Sequence, residues 1–394
     1  MELPKGYKLT DVGLVPKDWE VKKLSDFVSL RRGHDLTESE RTLGNIPVMS
    51  AAGQYGFHNI AIAKGPGVVV GRSGASFGQV HFCESDYWPH NTALYVTDFH
   101  NNCPRFVYYR LKNINFSRYN TGGAQPSLNR NFISSILIQL PEFDEQQAIA
   151  GALSDIDTLT TTLDQLITKK RNIKQGAIQQ LLTAQTRLAG FTDKWDKRRL
   201  GEIGNTYIGL SGKSKRDFED GNLPYITFLN VMNNKAININ MFGLVRIKPN
   251  ERQNRVLKND ILFNTSSETP EEIGMCSVLL SDIEELYLNS FCFGFRLTKN
   301  SNAHPLFLVY YLRSSFGRQL FYSLGQGATR YNLSKRNFNN IEIPFPAFAE
   351  QEAIARTLND MEAEIEKIEQ QRDKYKAIKQ GMMQELLTGK TRLI

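Results

Sequence analysis

An internal duplication is the feature that most constrains the fold of this chain. Residues 145–188 align without a gap on residues 350–393, at a constant offset of 205 positions. Of the 44 aligned pairs, 20 are identical. A repeat of this length and identity means that one structural unit occurs twice. The sequence therefore predicts two similar parts of the molecule rather than one continuous fold.

Both copies have the pattern of a long helix. Apolar residues recur mostly in steps of three and four from Ile149 to Leu181 and from Ile354 to Leu386, and no proline interrupts either run. This spacing is a heptad seam, which calls for a partner helix. A helix of about 39 residues is about 58 Å long. We predict that the two helices pair as an intramolecular coiled coil; the alternative is one long helix packed separately on each domain.

The similarity extends beyond the helices. Trp19 and Trp195 each begin a short charged stretch, "VYYRL" at Val107 resembles "VYYLR" at Val309, and a glycine-rich loop follows in each half at 122–125 and 327–330. A predicted strand and a proline then precede each long helix. The chain is thus predicted to be two copies of a globular domain followed by a rod, which share their ends and differ in the middle.

The globular parts contain short apolar runs without regular alternation of strands and helices, so we predict an α+β fold with mainly antiparallel sheets. The predicted domains are 1–143, 144–188, 189–349 and 350–394. The predicted strands include Ile46–Ser50, Val68–Gly71, Val80–Cys83, Ala93–Val96, Tyr225–Leu229, Ile237–Asn240, Leu244–Ile247, Ile261–Asn264 and Phe291–Leu297. Prolines in the first turn predict helices at Pro104–Lys112 and Pro305–Tyr322.

Length and composition are those of a soluble protein with two or three domains. The chain has 394 residues, of which 41% are hydrophobic and 23% charged, and no stretch approaches a membrane span. The four cysteines lack C-x-x-C spacing, which favours a reduced, cytoplasmic protein. A net charge of +7 and a pI near 9.0 admit an anionic partner without proving one.

Catalytic signatures are incomplete wherever they begin. Gly389-Lys390-Thr391 and Gly212-Lys213-Ser214 resemble the end of a P-loop, but its first glycine is missing in both cases. No cofactor loop or catalytic triad stands out. The spacing of His81 with Cys83 and of His100 with Cys103 leaves a zinc site as an alternative. We therefore predict a protein that is not an enzyme and holds no metal.

Polar and basic residues cluster at strand ends and after the glycine-rich loops. Arginine pairs with guanine and asparagine or glutamine with adenine, while lysine and arginine also neutralise phosphates. The alternative for each is a solvated turn. The candidates for DNA binding are Arg31, Arg32, Arg72, Ser73, Ser76, Gln125, Asn129, Arg130, Lys213, Lys215, Arg216, Thr265, Ser266, Arg330, Tyr331, Asn332, Lys335 and Arg336.

The repeated motifs resemble those of the DNA specificity subunit of Type I restriction–modification systems. They are "EQQAIAGALSDID" and "EQEAIARTLNDME" at the helix starts, and "KQGAIQQLLTAQTRL" and "KQGMMQELLTGKTRL" at the helix ends. The resemblance covers essentially the whole chain. It places the sequence preference in the variable middles of the domains, so no base-reading residue follows from a motif.

This resemblance implies two target-recognition domains, each reading one half of a split sequence in double-stranded DNA. The two helices would pair antiparallel, with pseudo-twofold symmetry, and fix the distance between the halves. The subunit would bind no cofactor directly and recruit two methyltransferase subunits, which use S-adenosylmethionine to modify adenine; a motor-nuclease subunit can join. Candidate partner-binding positions on the helices are Lys174, Gln175, Gly176, Lys379, Gln380 and Gly381. The rival hypothesis is a coiled-coil scaffold that binds only proteins.

Overall fold

The computed structural model describes residues 4–120, 126–324 and 331–393. The chain divides into two compact units. The first unit consists of residues 1–166 and 368–394, and the second consists of residues 167–367. Both units mix helices and sheets, as predicted. The predicted domain boundaries stay a prediction.

The first unit contains small sheets and short helices. Its strands are β1 (Tyr7–Thr10), β2 (Gly13–Pro16), β3 (Glu20–Lys23), β4 (Ser29–Arg32), β5 (Ile46–Ser50), β6 (Gly53–His58), β7 (Gly67–Gly71), β8 (Val80–Cys83), β9 (Trp88–Pro89), β10 (Ala93–Asp98) and β11 (Leu137–Leu140). Its short helices are α1 (Leu24–Phe27), α2 (Pro104–Lys112) and α3 (Arg130–Ile133), with 3-10 turns at Glu38–Glu40 and Phe116–Tyr119.

The second unit also contains small sheets and short helices. Its strands are β12 (Asp196–Arg199), β13 (Gly204–Ile208), β14 (Leu223–Ile226), β15 (Phe242–Val245), β16 (Ile261–Asn264), β17 (Ser266–Ser267), β18 (Cys276–Val278), β19 (Tyr287–Leu288), β20 (Cys292–Leu297), β21 (Tyr331–Asn332) and β22 (Glu342–Phe345). Its short helices are α5 (Leu200–Ile203), α6 (Lys215–Glu219), α7 (Phe228–Asn233), α8 (Pro305–Arg313), α9 (Ser315–Tyr322) and α10 (Lys335–Asn339), with a 3-10 turn at Pro270–Glu272.

The two units share a sheet topology even where their sequences differ. In the first unit an antiparallel sheet has the order β4-β10-β7-β8 and a second sheet has the order β6-β5-β9. The second unit repeats both, as β13-β20-β16-β18 and β15-β14-β19. In each second sheet one strand pair is parallel, β5 with β9 and β14 with β19. The variable middles therefore fold on one plan.

Four sequence predictions in the second unit are wrong in detail. The strand predicted at Leu244–Ile247 is β15, which lies two residues earlier, at Phe242–Val245. The run from Ile237 to Asn240 is not a strand. The predicted strand Tyr225–Leu229 ends at Ile226, because the Thr227 side chain accepts from the N–H of Asn230 and begins α7. The helix predicted from Pro305 to Tyr322 is two helices, because the Ser314 hydroxyl accepts from the N–H of Gly317 at 3.3 Å and begins α9.

The two long helices are α4 (Phe143–Leu181) and α11 (Phe348–Leu386), each of 39 residues. Residues of α4 up to 166 belong to the first unit together with α11 residues from 368 onward, and the remainder of both helices belongs to the second unit. Acidic residues in the first turn, such as Glu145 and Glu350, favour both helix starts by their interaction with the helix dipole. No helix in the described part of the chain is both long and apolar enough to cross a membrane.

Ion pairs join the two long helices within each unit. In the first unit Arg372 bonds to Asp164 at 3.2 Å and Lys379 bonds to Asp157. In the second unit Lys170 pairs with Glu364 at 2.7 Å and Lys174 with Glu362 at 2.9 Å. In both units the residue numbers rise along one helix as they fall along the other, so the two segments run antiparallel there.

The predicted heptad seam is only partly buried. Ile149 and Leu153 belong to the core of the first unit, and Ile354 and Leu358 belong to the core of the second unit, where they pack with sheets and short helices. Ile173 and Ile378, which the pattern placed in the seam, are 49% and 39% exposed. The apolar spacing therefore records contacts with the globular domains as well as contacts between helices.

Candidate nucleic-acid interface

Two loops that are distant in sequence meet after β7 in the first unit. The N–H of Leu128 donates to the carbonyl of Arg72 at 2.8 Å, and Ser73 forms a bridge with Ser127. Asn129 then caps α3, since its side chain accepts from the N–H of the residue two positions on at 3.0 Å. These contacts bring the candidates that follow β7 together with those that follow the glycine-rich loop.

A cleft of about 670 Å³ lies at this meeting point, and four of its lining residues are Arg31, Arg32, Arg72 and Arg130. The first two end β4, whose neighbour β10 also pairs with β7, so the sheet brings them towards Arg72. Arg130 begins α3. We call this site the arginine cleft. It joins residues that the sequence showed only as separate clusters.

The four guanidinium groups have few partners of opposite charge. The side chain of Arg32 lies 4.0 Å from Asp35, while Arg72 and Arg130 each donate to a backbone carbonyl at 3.4 Å. Within the described chain no carboxylate forms an ion pair with Arg31, Arg72 or Arg130. Like charges that are neither paired nor buried favour binding of an anion. The arginine cleft can therefore contact phosphates or guanine edges.

The second unit repeats the meeting of loops with different side chains. The N–H of Leu333 donates to the carbonyl of Thr265 at 3.1 Å, and β17 pairs with β21 through Ser266 opposite Asn332. Beside this pairing lies a cleft of about 310 Å³. Its lining includes Thr206, Tyr207, Thr265, Ser290, Phe293 and Lys335. We call it the hydroxyl cleft.

The three basic candidates before β14, which are Lys213, Lys215 and Arg216, differ in burial and in their partners. Lys213 has a side chain only 4% exposed, pairs with Glu251 at 2.6 Å and donates to the carbonyl of Arg246 at 2.6 Å. This geometry favours a structural role for Lys213, because its charge is already neutralised. The Lys215 side chain is 91% exposed and lies 3.6 Å from the carboxylate of Glu219. Arg216, the next residue in α6, is also exposed. Both remain candidates.

The remaining candidates do not line either cleft or lie outside the described residues. Ser76 lies in the turn after β7, where its carbonyl accepts from the N–H of Gln79. Tyr331 is half-buried in β21, and Arg336 is exposed in the first turn of α10. Gln125 and Arg330 lie outside the described residues. All of these stay predictions as DNA contacts.

The zinc alternative finds no support in the part of the chain that the structure describes. There, no group of three or more histidine, cysteine or acidic residues is arranged to hold a metal ion. The ring of His81 bonds to the carbonyl of Ala51 at 3.0 Å, and Cys83 donates to the carbonyl of Ser85. Local backbone contacts therefore account for both residues.

One functional arrangement was not predicted, although its residues were visible as identical repeat positions. In the first unit buried Glu145 accepts from Trp19 at 2.8 Å and from Arg392 at 2.7 and 2.8 Å. Arg392 also bonds to Asp18 at 2.6 and 2.9 Å. These bonds raise the pKa of Arg392. The side chains tie the start of α4 to the chain segment that follows α11.

The second unit contains the same glutamate–arginine–tryptophan contacts, built from the equivalent residues. Glu350 accepts from Trp195 at 2.9 Å and from Arg187 at 2.5 and 2.7 Å. In each unit the arginine therefore comes from the other copy of the repeat. We call the two arrangements the arginine clasps. The signal that could have identified them was the identity of glutamate, arginine and tryptophan in both copies.

A second pair of equivalent contacts lies farther along the helices. Tyr109 donates to Asp157 at 2.7 Å in the first unit, and Tyr310 donates to Glu362 at 2.9 Å in the second. The sequence comparison aligned Val107 with Val309 and was wrong by one residue. Since α2 and α8 both begin at proline, Tyr109 corresponds to Tyr310.

The predicted partner-binding positions fall into two groups. Lys174 and Lys379 already pair with acids within their units. Gln175 and Gln380 are exposed. A Cβ atom added at Gly176 or Gly381 would meet nothing within 4 Å. The two glutamines and the two glycines are therefore accessible on the helix surface. Whether they bind a partner stays a prediction.

Comparison with known proteins gives a consistent picture. The sequence matches the family described as Type I restriction modification DNA specificity domain over residues 16–175 and 192–375. The type I restriction enzyme MjaVIII specificity subunit of Methanocaldococcus jannaschii is 25% identical over 412 residues, which cover 96% of this chain and 94% of that protein.

Solved structures share the fold at low sequence identity. The S subunit of a type I restriction–modification system from M. genitalium aligns with a TM-score of 0.64 and 16% identity, covering 98% of each chain. A chain from work on the complex assembly and conformational transition of the type I R-M system aligns with a TM-score of 0.55 and 14% identity, covering 96% of this chain and 99% of that one. With the family matched in both halves, this chain belongs to the DNA specificity subunits of Type I restriction–modification systems.

Proposed function

We propose that this chain reads a split sequence in double-stranded DNA, with one half-site read by each unit. The observation that carries the proposal is the pair of clefts at equivalent positions of two units with one topology. The arginine cleft and the hydroxyl cleft occupy the same place in the fold but present different side chains. Two unlike reading sites suit two unlike half-sites.

We further propose that α4 and α11 form an antiparallel coiled coil that fixes the gap between the half-sites. The ion pairs Lys170–Glu364 and Arg372–Asp164 support this pairing. Each helix is about 58 Å long, which exceeds one duplex turn of about 34 Å. A rod of this length can hold two reading sites along one DNA molecule.

Two identical methyltransferase subunits are the proposed protein partners. A glutamine and a glycine occupy equivalent positions in each copy of the repeat, Gln175 and Gly176 in the first and Gln380 and Gly381 in the second. Both glutamines are exposed and neither glycine has a neighbour that would obstruct a Cβ atom, so each copy offers the same contact positions. The partners would bind S-adenosylmethionine and methylate adenine, which requires that the base be flipped out of the duplex. The chain itself would bind no cofactor and catalyse no step, and a motor-nuclease subunit could join the complex.

The test is to co-express the chain with a methyltransferase subunit of its own system and to methylate a library of random duplexes. Sequencing of the methylated molecules should show two short specified blocks separated by an unspecified gap of constant length. Binding of the same complex should weaken steeply with salt, because phosphate contacts release counterions. Equal methylation or binding of all sequences would contradict the proposal and favour a scaffold that binds only proteins.

A further inference from the structure

The backbone establishes which residues of the two clefts are equivalent. Leu128 donates to Arg72 as Leu333 donates to Thr265, so Arg72 corresponds to Thr265. The helices α3 and α10 begin at Arg130 and Lys335, which are 205 positions apart, as are all aligned pairs of the repeat. The equivalence therefore rests on hydrogen bonds and element starts rather than on sequence similarity.

The ends of β4 and β13 give two further equivalent pairs. Arg31 lies opposite Tyr95 in the ladder with β10, and Tyr207 lies opposite Gly294 in the ladder with β20. Tyr95 and Gly294 are in turn opposite Val69 and Leu262, which lie three positions before Arg72 and Thr265. Arg31 is therefore equivalent to Tyr207, and the next residue, Arg32, is equivalent to Ile208. Three of the four cationic positions of the arginine cleft thus carry an uncharged residue in the second unit.

The hydroxyl cleft has its own chemistry. The Tyr207 hydroxyl donates to Asp260 at 2.6 Å and the Arg296 guanidinium lies 5.0 Å from the centre of its ring, so Tyr207 contributes the apolar edge of its ring to the cleft wall rather than a hydrogen-bonding group. Ile208 is 64% exposed, and Phe293 adds an aromatic wall. Thr265 supplies a hydroxyl and a methyl group, while Lys335 is the cation equivalent to Arg130. This surface is mainly apolar with a few hydrogen-bonding groups.

We infer that the two units read base pairs of different classes, the first reading guanines and the second reading A·T pairs. Arginine forms two hydrogen bonds with guanine O6 and N7, and apolar groups or the threonine methyl contact the thymine methyl. Hydroxyl groups bond to either kind of base pair. The inference rests on the proposed function and adds the chemical class of each half-site, with Arg72 and Thr265 as the specificity-determining residues.

Arg72 and Thr265 are the best-placed residues for this role. Each follows a central strand of its sheet, β7 or β16, and each has its backbone carbonyl held by a leucine N–H from the opposing loop. The Cα positions are therefore fixed while the side chains line the clefts. Among the described residues, the Arg72 guanidinium has one hydrogen bond, to the Asn91 carbonyl at 3.4 Å, which a base edge can replace.

The experiment uses the complex of the full chain with its methyltransferase subunit and a random duplex library. The wild type is compared with Arg72→Ala, Arg130→Ala and Thr265→Ala. Arg105→Ala serves as the matched control, because Arg105 lies in the first unit outside the arginine cleft and pairs with Glu84. Methylated molecules are sequenced, and circular dichroism melting identifies any variant that has not folded.

The expected result is that Arg72→Ala or Arg130→Ala lowers the guanine preference at one position of one half-site by about tenfold or more. The other half-site and the Arg105→Ala profile should be unchanged. Thr265→Ala should lower preference at an A·T position of the other half-site. Folded arginine variants that lose activity equally on all sequences, or that keep every guanine preference, would overturn the inference.

Failure of the inference is distinguishable from failure of the proposed function. A wild type that shows no split sequence overturns the proposed function itself. Two results would leave the proposed function intact and overturn only the assignment of base classes. In the first, the wild type shows a split sequence, but the arginine variants alter an A·T position. In the second, Thr265→Ala alters a G·C position.

Discussion

Glu362→Gln tests how an ion cluster holds the long helices in the second unit. The carboxylate of Glu362 accepts from Lys174 and from Tyr310, both at 2.9 Å, and also from Lys235. Burial raises the pKa of Glu362, but the hydrogen bonds and charges of Lys235 and Lys174 outweigh it and lower the pKa from its ordinary 4.5 to about 2. Glutamine keeps the shape of the side chain but removes its charge.

The size of the effect follows from this pKa. The pKa of Glu362 falls by about 2.5 between the unfolded and the folded protein, and each unit of pKa corresponds to about 1.36 kcal/mol. The charge of Glu362 therefore contributes at most about 3.4 kcal/mol to the free energy of unfolding. Because the side chain is 34% exposed, solvent screening reduces the expected loss to about 1–2 kcal/mol at pH 7.

The pH dependence has a definite sign. Since the folded pKa of Glu362 lies below the unfolded value, its stabilisation is complete above the unfolded pKa and is lost as pH falls from about 5 towards 2. The difference in stability between wild type and Glu362→Gln should therefore narrow at pH 3.

Urea unfolding followed by circular dichroism at pH 7 and pH 3 measures both effects. Glu364→Gln is the matched control on the same helix. Its partner Lys170 lies at 2.7 Å, but the Glu364 side chain is 50% exposed, so we expect a loss below about 0.5 kcal/mol. The reasoning is refuted if Glu362→Gln is as stable as the wild type at pH 7, or if its deficit is undiminished at pH 3.

Three further predictions concern the clasps, the repeated glycines and the helix length. Arg392→Ala leaves buried Glu145 without its cation and should lower the free energy of unfolding by about 3 kcal/mol, measured by thermal unfolding. Arg118→Ala is the control at an exposed position of the same unit and should lower it by less than about 0.5 kcal/mol. Gly176→Ala and Gly381→Ala should each stabilise the protein by about 0.5–1 kcal/mol in urea unfolding, because no atom obstructs the added methyl group; destabilisation would show that the glycines are structurally required. Seven residues inserted after Leu163 and seven after Ile368 add about 10.5 Å to each helix and should lengthen the unspecified DNA gap by up to about 3 base pairs in methylation mapping; a folded variant with unchanged spacing would exclude the helices as the ruler.

Much of the fold was predictable because its signals are local. Prolines at Pro104 and Pro305 mark the starts of α2 and α8, and the long apolar periodicity marks α4 and α11. Two of the errors arose where a single polar side chain decides the structure. Ser314 divides one predicted helix into two, and Thr227 replaces the end of a predicted strand with a helix.

The candidate sites were predictable as residue types but not as an assembly. Arg31, Arg72 and Arg130 are far apart in sequence, and only the pairing of β4 with β10 and the bridge between Ser73 and Ser127 bring them to one cleft. Such long-range pairing leaves no local signal. The burial of Lys213 against Glu251 was hidden for the same reason, since its sequence neighbours are basic and exposed.

Identity between the two repeats distinguishes the clasp residues from the residues that line the two clefts. The clasp residues are identical in the two copies of the repeat. Arg392 donates to Glu145 in the first clasp as Arg187 donates to Glu350 in the second. Each clasp draws its glutamate from one copy of the repeat and its arginine from the other, so loss of the arginine from either copy would leave the buried glutamate of the other copy without its cation. The cleft positions carry no such mutual constraint, because Arg72 and Thr265 each line a cleft of their own unit. Under the proposed function, the cleft residues can therefore differ between the two units while the clasp residues stay identical, which suits recognition of two unlike half-sites.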